Sequence, residues 1–193
     1  QCQETIRTAL AMGADSAVLV SDEALAGSDA LGTAKVLAAA IKRVAPDLVL
    51  TATESSDGYT GTVPEQIAEL LELPSVTFAK EVNISDGNVS VRRQTEDGYD
   101  EVSCPLPALV SVTAGVVEPR YPSFKGIMAA KSKPVEELTI SDLGIESSHV
   151  GWVGSGQEIV SIEPAPKREA GEVIEDEGDA HERTLSFLEE LKV

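Results

Sequence analysis

The sequence predicts an α/β fold: a doubly wound, mainly parallel sheet with an antiparallel hairpin extension and a C-terminal arm. Three observations predict it. Helical stripes and short strands alternate up to about Leu71. The strands in that stretch are unbroken apolar runs, as strands covered on both faces should be. From Asp86 onward, Asp-Gly pairs sit between alternating segments, the signature of tight antiparallel turns.

Taken in order, Ile6, Ala9, Leu10 and Met12 make a helical stripe over Thr5 to Met12, and Gly13 is placed to end it. Ala17 to Val20 is a short buried strand. Ser28 is the expected cap of a helix from Asp29 to Val44, with Leu31, Ala34, Val36, Leu37, Ala40, Ile41 and Val44 on its apolar side and Pro46 stopping it. Leu48 to Leu50 is a second strand, and Pro64 sits in the first turn of a third helix that runs to about Leu71. Val82–Ile84 and Val89–Arg93 flank Asp86-Gly87-Asn88 as a hairpin, and Asp97-Gly98 turns into Tyr99–Val102. Ala108 to Val112 is one more buried strand. Past Ile145 periodicity fades. Residues 146–178 read as an extended arm, and His181 to Leu191 as an amphipathic helix with Leu185, Leu188 and Leu191 on one side. A poorly ordered tail has the same composition.

Bulk composition narrows the function. The 33 acidic against 15 basic residues give a net charge of −18, which repels phosphate backbones and argues against nucleic-acid binding. The 42% hydrophobic content supports a core, and with 4% aromatics that core must be aliphatic. Cys2 and Cys104 are far apart and outside any Cys-x-x-Cys pair, which points to a reducing, cytoplasmic setting. No run approaches the ~18 apolar residues of a membrane span. No catalytic constellation stands out: His149 and His181 are isolated, and no Gly-x-Ser-x-Gly elbow or metal-spaced cluster occurs. Cys104, before Pro105, reads as packing.

Two segments carry chemistry. Beyond the strand ending at Leu50 lie Ala52, Thr53, Glu54, Ser55, Ser56, Asp57, Gly58, Tyr59, Thr60 and Gly61, followed by a helix start. Ligands of open α/β sheets bind beyond strand carboxyl ends, and a helix N-terminus offers free amides to a phosphate. Gly58 and Gly61 allow close backbone approach, and Ser55, Ser56 and Thr60 offer hydroxyls. Glu54 and Asp57 suit ribose hydroxyls, an adenine amino group, or capping of the loop itself. The segment is neither a Walker loop nor Gly-x-Gly-x-x-Gly, and an ordinary capped loop has the same residues. The second segment is EPRYPSFKGIMAAKSK at 118–133, locally basic in an acidic chain. Tyr121, Pro122, Ser123, Phe124 and Lys125 read as a contact surface; a lid tucking Phe124 onto its own core is the other reading.

QCQETIRTALAMGAD at 1–15, DGYTG at 57–61 and EPRYPSFKGIMAAK at 118–131, continued by SDLGI at 141–145, together resemble the β subunit of electron transfer flavoprotein, of the bacterial or archaeal type. The likeness is close over 1–145 and holds in general character beyond. It implies a Rossmann-like adenine-nucleotide-binding domain over 1–145, and an arm and helix over 146–193 that contact an α subunit. Family members carry a strand, a hairpin, a helix and another strand ahead of the helix matching Thr5 to Met12, and by the resemblance this sequence is expected to lack that N-terminal part. The resemblance further implies an electron carrier without catalytic residues of its own. By the same resemblance its FAD is expected mostly on the α subunit, and Ala52 to Thr60 are expected to hold a structural AMP. The resemblance implies that electrons pass from acyl-CoA dehydrogenases and similar flavoenzymes, as in fatty acid oxidation, to a quinone oxidoreductase. The 118–131 segment is similar to the family's recognition loop, with Phe124 where Leu is common. Relatives that bifurcate electrons bind a second FAD in place of AMP, and their turn tends to read Asp-Gly-Asp-Thr-Ala-Gln. In this chain it reads Asp57-Gly58-Tyr59-Thr60-Gly61-Thr62, and AMP is the expectation. A stand-alone nucleotide-binding module of the stress-protein kind is the alternative.

Overall fold

In the computed structural model, which describes residues 2–167, 171, 173, 176 and 178–190, the apolar runs become strands and the stripes become helices. The chain forms two units, Gln1–Glu158 and Ile159–Val193. The first is α/β. In chain order it carries α1 (Cys2–Met12), β1 (Ala17–Val20), α2 (Ala30–Val44), β2 (Leu48–Ala52), α3 (Val63–Leu71), β3 (Ser75–Ser85), β4 (Asn88–Gln94), β5 (Tyr99–Pro105), β6 (Ala108–Val112), α4 (Phe124–Ala130), β7 (Val135–Leu138) and α5 (Gly151–Gly154).

The larger sheet has the order β2-β6-β3-β4-β5. Its β2, β6 and β3 run parallel, with Leu48 opposite Ala108 and Ser75 opposite Leu109. β6 is paired on both sides and buried from Ala108 to Ser111, which is why it reads as a continuous apolar run. The antiparallel trim β3-β4-β5 follows from the predicted hairpin, whose Asp86 and Gly87 both adopt positive φ, at 51° and 74°. On one face, Val49 and Leu109 pack against Ala34 and Ala38 of α2 and Ile67 and Ala68 of α3. A separate cluster joins Val76, Val89, Val91, Ala108 and Val110.

A single doubly wound sheet is not what forms among the described residues. β1 pairs with β7, in parallel, as a separate two-stranded sheet, and β7 had no clear signal in the sequence. Between β1 and β2 lies an apolar groove of about 640 Å³, lined by Val18–Val20, Leu48–Leu50 and the α2 residues Leu37, Ile41 and Val44. Leu37 and Val44, expected in the core stripe, are exposed in this groove.

Two local expectations shift. The cap of α2 is Asp29, whose Oδ1 accepts from the Gly32 amide at 2.8 Å, and not Ser28. Ser28 Oγ instead donates to Leu25 O and accepts from the Gly151 amide, both at 2.8 Å. The chain also stays structured well beyond 146. Ser147–His149 forms a 3₁₀ turn, Val150 is buried, and Trp152 donates its amide to Ala26 O at 2.9 Å. The Trp152 ring lies against Gly27, where a Cβ would find no room, and the Gly156 amide reaches Asp29 Oδ2 at 2.8 Å. Residues 150–156 are thus a strap buttoned onto the start of α2.

In the second unit, α6 (Ala180–Glu190) presents Leu185, Phe187 and Leu188 as exposed apolar residues. Leu191, expected on the same face, lies outside the described residues. No helix among the described residues is long and apolar enough to cross a membrane.

Asp29 serves both ends of the strap junction, and its carboxyl is held below the usual carboxylate value, first by the Gly32 amide and then by the Gly156 amide. Asp29→Ala should cost about 1 kcal/mol in a urea melt, the usual loss for an N-cap. Because the folded-state pKa is depressed, the stabilisation is complete above the unfolded value and disappears as pH falls through the folded one. Asp29→Asn should therefore flatten the acid side of the stability–pH curve; an unaltered curve would contradict this role.

Candidate functional site

The parallel strands end in a lattice of hydroxyls. Thr51 stands opposite Ser111 in the β2–β6 register. Ser111, buried at 1% exposure, accepts from the Phe78 amide at 3.2 Å. Phe78 sits at φ 59°, where the β3–β6 register shifts between Val76 and Ala79. Thr53 Oγ1 donates to Val112 O at 3.1 Å, and Thr113 Oγ1 to Ala79 O at 3.2 Å. These bonds pin the point from which the 52–62 loop departs. The Thr51 Oγ1 atom is buried without a hydrogen-bond partner among the described residues. None of these roles was visible in the sequence, where Ser and Thr are common and their partners lie far away in the chain.

Along the loop, Ala52, Glu54, Ser55, Ser56, Asp57, Gly58, Tyr59 and Thr60 are exposed, and Thr53 and Gly61 are half-buried. The loop is therefore an open shelf. Its first half is organised from within: the Gly58 amide donates to Asp57 Oδ1 at 2.8 Å and to Ser55 Oγ at 3.3 Å, and the Tyr59 amide to Ser55 O at 3.2 Å. The Asp57 carboxyl is pulled below its usual value by the Ser55 hydroxyl, then by the Gly58 amide. Of the uses open to Asp57 in the sequence, capping is the one observed, and Gly58 is no longer a free donor.

The second half is different. Tyr59 and Gly61 turn the chain through positive φ, at 48° and 63°. Only Gly61 among the two glycines needs its missing side chain for conformation. The amides of Thr60, Gly61 and Thr62 have no acceptor among the described residues. Thr62 precedes α3 without making a side-chain cap; its Oγ1 accepts from Gln66 instead, at 3.4 Å. A helix start left uncapped leaves several amides and the positive end of the dipole facing outward.

At the other segment, read in the sequence as a contact surface or a lid, the structure supplies a helix from Phe124 to Ala130. Ser123 caps α4, its Oγ accepting from the Gly126 amide at 3.0 Å. Pro122 leads in, half-buried. Phe124 at the first helical position is 90% exposed and Tyr121 is 94% exposed, so Phe124 does not tuck onto its own core. Met128, one turn later, and Lys125 are exposed beside them.

Among the described residues no group of three His, Cys, Asp or Glu is placed to hold a metal ion. The Cys104 thiol packs beside Val89 and Val91, and burial pushes its pKa up. That is packing and not nucleophile chemistry.

Residues 1–143 match the family described as electron transfer flavoprotein domain. The chain is 41% identical over 191 residues to an electron transfer flavoprotein subunit beta of Mycobacterium tuberculosis, covering 98% of this chain and 72% of that one. It is 38% identical over 192 residues to the subunit of the same name from Thermoanaerobacterium thermosaccharolyticum, covering 99% and 73%. The caffeyl-CoA reductase-Etf complex subunit CarD of Acetobacterium woodii is 38% identical over 175 residues, covering 90% and 67%. With an uncapped helix behind a glycine turn and an exposed aromatic on a helical ledge, the chain belongs to the electron transfer flavoprotein family, as a β subunit.

Proposed function

We propose that this β subunit pairs with an α subunit carrying most of an FAD site, and that it holds a structural AMP on the Ala52–Gly61 loop. In this reading it helps pass electrons from acyl-CoA dehydrogenases and related flavoenzymes to a quinone oxidoreductase. The observation that carries the reading is the start of α3, where Thr60, Gly61 and Thr62 present unclaimed amides at a helix end without its own cap. A mononucleotide phosphate fits that set of donors, and the exposed Ser56 and Thr60 hydroxyls add two more. Asp57 and Ser55 serve by fixing the shape of the turn. Glu54 remains exposed and able to accept from a ribose hydroxyl.

FAD, when bound, supplies the redox chemistry. The residues of this chain bind, orient and dock. Electron transfer requires proximity and no directional bond between partners, so a small apolar anchor suffices to bring two flavoproteins together. Phe124 and Tyr121, exposed on α4 and its lead-in, are that anchor. Phe in place of a smaller aliphatic side chain selects a deeper or wider groove on the donor.

Denaturing the purified α/β complex should release AMP and FAD in equal amounts; FAD alone, at twice the α subunit's share, would overturn the AMP assignment. Gly61→Ala, which puts a Cβ at φ 63° at a cost of about 1 kcal/mol, should deplete AMP while leaving the flavin spectrum intact. Phe124→Ala should raise the KM for an acyl-CoA dehydrogenase about 30-fold, the scale of a lost hot spot of about 2 kcal/mol, with the flavin spectrum unchanged. Unaltered turnover in that variant would remove Phe124 from the docking role.

A further inference from the structure

The α4 helix has seven residues, too few to persist in water on its own hydrogen bonds. It also lacks a left-handed closing residue, since Lys131 stays in the right-handed region. Lys131 and Ser132 bond the Met128 and Ala129 carbonyls locally, and the Ala130 carbonyl is closed from α1. Arg7 Nη1 donates to Ala130 O at 2.6 Å and to Lys133 O at 3.2 Å. The exchange is returned: Lys133 Nζ donates to Leu10 O at 3.0 Å and to Ala14 O at 2.6 Å, at the end of α1. Carbonyl ends of helices are the negative ends of their dipoles, so Arg7 sits where α4 attracts it and Lys133 where α1 does. Between the two caps, Gly126 lies against the Ala11 carbonyl with no room for a Cβ, and Leu10 and Ala130 are buried.

We infer that Arg7 and Lys133 are positioning residues for partner docking: Arg7 caps α4 and Lys133 caps α1, and together they hold α4 rigid, and with it the spacing of Phe124 and Met128. The inference rests on reading α4 as the docking helix. Phe124 and Met128 are four residues apart, hence on one face of a formed helix and dispersed in a frayed one. A helix already formed before encounter spares the partner the cost of ordering it. Neither cation touches the 52–62 loop, so the caps set docking and leave the nucleotide shelf alone.

The test uses the intact α/β complex reduced by an acyl-CoA dehydrogenase, with Arg7→Gln, Lys133→Gln, Arg7→Lys and Phe124→Ala. The two Gln variants should raise KM roughly five- to twentyfold with kcat and the flavin spectrum unchanged, as for loss of pre-organisation. Hydrogen exchange should quicken in the peptide spanning 118–133, and in Lys133→Gln also at the end of α1, and Arg7→Lys should recover most of the KM. If Phe124→Ala raises KM while both Gln variants leave it alone, the positioning role is wrong and the docking reading stands. If Phe124→Ala changes nothing, the docking reading has failed and the inference falls with it. A KM change accompanied by loss of FAD and of the global melt overturns it too, since that is a folding defect; Lys133→Gln and Arg7→Lys keep the question answerable should Arg7→Gln fold poorly.

Discussion

β6 sets the terms for the rest of the first unit. A strand buried on both faces cannot leave amides or carbonyls to water, so it must be paired on both edges. β2 and β3 meet that demand from either side, and α2 and α3 cover one face. Because both neighbours run parallel to β6, all three strands deliver their carboxyl ends to the same rim. The hydroxyl bonds of Ser111, Thr53 and Thr113 then stiffen that rim, and the 52–62 loop leaves from a fixed point. The shelf beyond β2 is thus a consequence of how β6 satisfies its backbone.

Much of this was legible because burial imposes a pattern. α2, β2 and β6 read directly, since a covered strand or helix face needs apolar residues at fixed spacing. The Asp86-Gly87 turn read just as directly, because few residues tolerate its positive φ. Other features depended on distant partners. β7, with the sequence Val-Glu-Glu-Leu, has two apolar residues and exists because β1 offers it an edge. Ser28 and Asp29 are both good caps, and what separates them is Gly151, more than a hundred residues later, bonding to Ser28 Oγ. The composition of the 52–62 loop was readable, but whether Asp57 turns toward a ligand or toward Gly58 is a choice of rotamer.

The two candidate surfaces are built by opposite means. At the shelf, the protein leaves donors unsatisfied and lets α3 begin without a cap of its own. At α4 both ends are satisfied: Ser123 closes the start, Arg7 helps close the finish, and Phe124 and Met128 are left outside beside Lys125. Unsatisfied amides favour a small anionic guest, whereas a finished helix with bare aromatics favours a large apolar one.

The strap over the start of α2 has a spectroscopic side. Trp152 is the chain's sole tryptophan, and its indole rests against Gly27 beside the Asp29 junction. Ultraviolet emission excited through indole in these 193 residues comes from that one spot, so peeling of the strap has its own optical signature, separable from anything happening at a flavin.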